Sequence, residues 1–129
     1  MSSMADPGIQ GNDLQVLAVT DDHHLREELE FGFPQKIQVV SRVDARDAIR
    51  SMLDATPSVV VVDQQTGSSG ALSLLKEMQQ HPSLASIPVL VLLERTQDAW
   101  LARSFGASAY LTKPVETGEL VDKLLKLIS

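Results

Sequence analysis

Ser58-Val59-Val60-Val61-Val62-Asp63 reads as a strand without a solvent face. A half-exposed strand alternates apolar and polar residues, and four consecutive valines leave no position for water. Such strands belong to parallel sheets covered on both sides. β-Branched side chains also favour the pleat over the helix. The run ends on a carboxylate, so an ionisable group is expected where the strand leaves the sheet.

Working outward, two further apolar runs read as buried strands, residues 14–19 and 89–93. Residues 36–40 alternate, which predicts a strand nearer an edge, and residues 109–112 form a short fifth strand. Amphipathic segments separate them. Residues 21–31 carry Leu25, Leu29 and Phe31, with Asp21 or Asp22 as N-cap and with Gly32 and Pro34 as the stop. Residues 45–53 follow Asp44 as N-cap. Residues 70–80 carry Leu72, Leu74, Leu75 and Met78. Residues 96–105 end at Gly106, which suits a C′ position. The last helix is expected to start at Gly118 or Glu119 and to bury Leu120, Val121, Leu124, Leu125 and Ile128.

Strand and helix thus alternate five times. This predicts an α/β fold, a five-stranded parallel sheet with helices on both faces. Right-handed crossovers leave few topologies, and a flavodoxin-like strand order 2-1-3-4-5 leads among them. Ligands of such sheets sit beyond the carboxyl ends of the strands, at the switch between strands 1 and 3. Asp21, Asp22 and Asp63 are expected there, and Lys113, after the fifth strand, is expected beside them.

The bulk composition fits one globular domain: 129 residues, 43% hydrophobic, and no apolar run near the roughly 20 residues of a membrane span. Residues 1–13 lack a basic start and an apolar core, so they read as a flexible tail rather than a signal peptide, with the domain at 14–129. The chain has no cysteine, which excludes disulfides and thiolate metal sites and suits the cytoplasm. Its formal net charge of −6, with eleven scattered basic residues, argues against direct nucleic-acid binding.

Carboxylates held close together at strand ends repel one another, and a proton or a cation relieves the repulsion. Oxygen donors alone select a hard ion, Mg²⁺ or Mn²⁺. A carboxylate beside such an ion can attack a phosphoryl group to give an aspartyl phosphate. An ammonium such as that of Lys113 then neutralises the phosphoryl oxygens.

Over residues 14–128 the sequence resembles the receiver domain of two-component response regulators. The resemblance makes Asp63 the phosphoacceptor and Lys113, followed by Pro114 across a cis bond, the phosphoryl-contacting lysine. It assigns Mg²⁺ to Asp21, Asp63 and the backbone carbonyl of Gln65, and Asp22 is a further candidate. Tyr110 matches the aromatic switch residue, and Gly106-Ala107 matches the glycine-alanine before the last strand. A histidine kinase is the implied phosphate donor. The implied output is a protein partner or a homodimer, through the fourth helix, fifth strand and fifth helix.

The departures are as specific. Thr20 stands where the family places the first acid of a pair. Leu93 replaces the serine or threonine that would bond the phosphoryl group. The loop after the fourth strand is about two residues short, and the segment from Gln64 to Gly70 replaces the familiar Met-Pro. These changes predict an atypical receiver with a weakened switch, or alternatively a phosphorylation-independent pseudo-receiver that serves as an interaction module. Enzyme readings fare poorly. An acidic turn after the first strand would repel a flavin phosphate, and Gln65 stands where a haloacid-dehalogenase-type phosphatase needs its second aspartate.

Overall fold

The computed structural model describes residues 14–33, 37–64 and 70–128. Five strands form one parallel sheet: β1 Gln15–Val19, β2 Gln38–Arg42, β3 Val59–Asp63, β4 Val89–Leu93 and β5 Ala109–Thr112. Their order is β2-β1-β3-β4-β5, the expected topology. Every pairing is parallel. Five helices complete the alternation: α1 His23–Gly32, α2 Ala45–Asp54, α3 Gly70–Gln80, α4 Ala99–Ser104 and α5 Thr117–Ile128.

Successive side chains of a strand point to opposite faces, so each central strand feeds two cores. Leu17, Val19, Val60, Val62, Val91 and Leu93 pack with Ile49 and Met52 of α2, Leu74, Leu75 and Met78 of α3, and Ala102 of α4. Val16, Ala18, Val59, Val61, Leu90 and Leu92 pack with Leu29 of α1 and Leu120, Val121 and Leu124 of α5. All of β3 and β4 is buried. Fully burying a leucine or valine contributes about 1.5–3 kcal/mol, so these two strands anchor the sheet.

Several boundaries differ from the sequence expectation. Strand β2 lies two residues later than 36–40, because parallel pairing with β1 sets its register from Gln15↔Gln38 to Val19↔Arg42. Asp22, not Asp21, caps α1: its Oδ1 accepts from the amides of His24 and Leu25. Phe31 does not join the buried face of α1 and is 86% exposed. At about 100° per residue it sits some 200° from Leu29, on the opposite side of the helix. The expected helix over 96–105 is split into a 3₁₀ turn, Thr96–Asp98, and the six-residue α4. Helix α5 starts at Thr117 and buries Leu120, Val121 and Leu124, while Leu125 and Ile128 are half-buried.

Gly106 does the work expected of it. Its φ is +99°, where an L side chain is strained, and a Cβ there would lie 2.7 Å from Gln79 Nε2. The amide of Gly106 donates to the Arg103 carbonyl and that of Ala107 to the Ala102 carbonyl, both at 3.0 Å. This ends α4 and turns the chain into β5. The tail at residues 1–13 lies outside the described residues, as do Pro34 and Gln65.

Candidate functional site

Four strand ends meet at the carboxyl edge of the sheet. Asp63 is the last residue of β3. Past β1, the Thr20 amide donates to the Arg42 carbonyl at 3.0 Å; past β5, the Lys113 amide donates to the Leu93 carbonyl at 2.9 Å. Both residues thereby extend the ladders by one step, which fixes where their side chains start. The fourth end is that of β4, where Glu94 follows Leu93.

The Asp63 carboxylate is 3% exposed, so burial without partners would be costly. It has partners on both oxygens. Lys113 Nζ donates to Oδ1 at 2.8 Å, and Thr20 Oγ1 donates to Oδ2 at 3.1 Å. Thr20 is itself 1% exposed, and its hydroxyl oxygen accepts from the Asp22 amide at 3.0 Å. The residue standing in place of an acid is therefore a hydroxyl donor that holds one oxygen of Asp63.

The Lys113 ammonium has a second carboxylate partner, Glu94 Oε2, also at 2.8 Å. Burial pulls its pKa down. The hydrogen bonds and charges of Asp63 and Glu94 outweigh that, and the net position lies above the usual 10.5. Lys113 is consequently a cation at any physiological pH. Glu94 is tethered in turn: its amide donates to Gln64 Oε1 at 2.7 Å, and Gln64 Nε2 donates to Asp98 Oδ2 at 3.0 Å. The residue after Asp63 thus fixes the start of the shortened loop after β4. The peptide bond between Lys113 and Pro114 is cis.

Asp21 is exposed at the turn after Thr20, and the Asp22 carboxylate is engaged as the α1 cap. Gln65, expected to lend a carbonyl, lies outside the described residues. The oxygen donors suit Mg²⁺ in type. Among the described residues no group of three His, Cys, Asp or Glu side chains is disposed to hold a metal ion, and Mg²⁺ commonly takes one or two carboxylates and keeps several waters. A hydroxyl already occupies Asp63 Oδ2 on the side where a second acid would stand.

The expected switch residues, Leu93 and Tyr110, turn their side chains to the core. Leu93 is 1% exposed and belongs to the core beneath α2, α3 and α4. The Tyr110 ring is half-buried against the same core. Arg103 of α4 covers it, with the guanidinium 5.0 Å from the ring centroid and Nη2 donating to the phenol oxygen at 3.3 Å. Trp100, also on α4, is 66% exposed.

Sequence reasoning missed Glu94, Gln64 and Arg103. The signal for Glu94 was available: the fourth apolar run ends in acid just as the first and third do. Gln64 and Arg103 carried none, because their roles depend on a loop path and on a helix rotation.

Beside the cluster, a cleft of about 430 Å³ is lined by Asp22, Leu25, Glu28, Glu94, Lys113 and Pro114, among others. A wider hollow of about 780 Å³ runs along β5 between Arg103, Tyr110 and Lys123.

The profile of the family described as response regulator receiver domain matches residues 16–125. The virulence transcriptional regulatory protein PhoP of Salmonella typhimurium is 32% identical over 121 residues, covering 89% of this chain and 52% of that protein. The phosphate regulon transcriptional regulatory protein PhoB of Escherichia coli is 26% identical over 113 residues, 85% of this chain and 49% of that protein. The chain therefore spans about half the length of the curated relatives it matches. Among solved structures, the chemotaxis response regulator CheY4 of Vibrio cholerae superposes with a TM-score of 0.82 at 21% identity, covering 88% of this chain and 98% of that one. The receiver domain of Francisella response regulator 1452 gives 0.80 at 24% identity, covering 89% and 96%. At such identities the two structures speak for the fold alone. No helix among the described residues is long and apolar enough to cross a membrane.

Proposed function

This chain belongs to the response regulator receiver domain family, and we propose that it takes part in phosphorelay signalling by accepting a phosphoryl group at Asp63. The observation that carries the reading is the 2.8 Å bond from Lys113 Nζ to a carboxylate buried at the end of the central strand. In the transfer, one Asp63 oxygen bonds to phosphorus as the P–N bond of a phosphohistidine breaks. The bonding electron pair stays on the imidazole nitrogen, which then takes up a proton. Lys113 supplies positive charge to the phosphoryl oxygens as charge develops on them. The donor is a histidine kinase.

Receiver domains of this family generally bind Mg²⁺ at the phosphorylation site. Here Asp21, Asp63 and the Gln65 carbonyl are the donors we assign to it, with Asp22 held back by its cap. The ion would neutralise charge on the phosphoryl oxygens. We expect its binding to be weak, because Thr20 supplies a hydroxyl in place of a carboxylate.

The switch is the weakened part of this reading. No hydroxyl is available at Leu93 to bond the phosphoryl group, a bond worth about 1.5–3 kcal/mol when one partner is charged. Tyr110 has a standing partner in Arg103 instead. The hollow along β5 and the exposed Trp100 support output through α4, β5 and α5, to a protein partner or a second copy. A pseudo-receiver is the second reading, favoured by the Thr20 hydrogen bond that already occupies Asp63. Titration with beryllofluoride and millimolar Mg²⁺ tests the choice. Saturable binding that is lost in Asp63→Asn supports the phosphoacceptor, and no binding by the folded wild-type chain refutes it.

A further inference from the structure

We propose that Glu94 is a specificity-determining carboxylate of the phosphoryl site, which competes with the incoming group for Lys113 and holds down the affinity of Asp63 for it. The inference rests on the reading of Asp63 as phosphoacceptor.

Lys113 Nζ sits between Asp63 Oδ1 and Glu94 Oε2, 2.8 Å from each, so these two oxygens lie within twice 2.8 Å of one another. A phosphoryl group on Asp63 adds negative charge to this space. It needs the ammonium that Glu94 already shares, and it meets a second carboxylate at close range. The backbone of Glu94 is fixed by its amide bond to Gln64, whose side chain is held by Asp98, and its carboxylate is held by Lys113. Glu94 also lines, with Lys113, the cleft that opens on the cluster.

The size of the effect follows from Coulomb's law. One added charge about 5–6 Å from a partly exposed carboxylate, screened nearly as in water, changes affinity roughly threefold to tenfold. The repulsion is screened by salt, which a purely steric obstruction is not.

The test uses wild type, Glu94→Gln and Glu94→Asp, each shown folded by thermal melting and each titrated with beryllofluoride and Mg²⁺ under ¹⁹F NMR. Glu94→Gln keeps the size and removes the charge, and it is expected to bind roughly threefold to tenfold tighter. Glu94→Asp keeps the charge and is expected to gain less than Glu94→Gln. Raising the salt narrows the gap between wild type and Glu94→Gln. Equal or weaker binding by Glu94→Gln overturns the inference, as does Glu94→Asp gaining as much as Glu94→Gln. Wild-type binding judges the phosphoacceptor reading separately. If wild type binds and Glu94→Gln gains nothing, only the inference falls; if neither chain binds, both fall.

Discussion

The ends of β1, β3 and β5 and the interface between β5 and α4 lie on one sheet, and they depart from the family pattern in different ways. At the strand ends the charge pair of Asp63 and Lys113 is in place, and Thr20 adds a hydrogen bond to Asp63. At the β5–α4 interface the change removes a polar group: Leu93 is buried in the core, and Tyr110 is held from outside by Arg103. Charges at strand ends are positioned by backbone ladders. A switch needs two arrangements of nearly equal energy. In the proposed reading, a leucine at its hydroxyl position favours one of them. The difference is what the proposed reading rests on: a receiver that keeps the means of accepting phosphate and lacks the usual means of transmitting it.

The largest expected effect is on the strand-end side. Asp63→Asn removes the proposed nucleophile, and phosphorylation by acetyl phosphate, followed by mass spectrometry, should disappear entirely while the chain stays folded. Next comes Lys113→Met. It leaves the buried Asp63 carboxylate with Thr20 but without its cation, and urea melts should show a loss of about 1–3 kcal/mol.

Leu93→Thr acts on the other side. Burying a hydroxyl in that core should cost about 1–3 kcal/mol by urea denaturation. In exchange it should make the Tyr110 resonances sensitive to beryllofluoride, and insensitivity in this variant would show that the missing hydroxyl is not what separates the two regions. Arg103→Ala is smaller: stability should fall by only about 0.5–1 kcal/mol, the value of an exposed cation–π contact, while the Tyr110 ring gains freedom in NMR relaxation.

The smallest effect is one of pH. The pKa of Lys113 is raised in the folded chain, so its contribution to stability is fully present below the unfolded value near 10.4 and is lost as pH rises through the folded value. The gap between wild type and Lys113→Met should therefore be flat across neutral pH and close only in strong alkali. A gap that closes between pH 6 and 8 would assign it to another group.

Much of this was legible in the sequence. Four valines specified a strand buried on both faces, and alternation with amphipathic segments specified the topology. Asp63 and Lys113 could be singled out because apolar runs deliver them to the same edge. What was not legible depends on register and rotation. Phe31 fell off the α1 face because its spacing from Leu29 is two, and β2 slid by two residues because its register is set by β1, not by its own pattern. The fourth helix breaks at Asp98, the residue that accepts from Gln64 across the site. Arg103 met Tyr110 only because α4, once broken, presents that residue over β5.

One measurement bears most directly on the separation of the two regions: amide NMR of the wild-type chain at saturating beryllofluoride and Mg²⁺. The account predicts large shifts at Thr20, Asp63, Glu94 and Lys113, with Tyr110, Arg103 and Trp100 left where they were. Shifts at Trp100 and Tyr110 that grow with the same midpoint as those at Asp63 would contradict it.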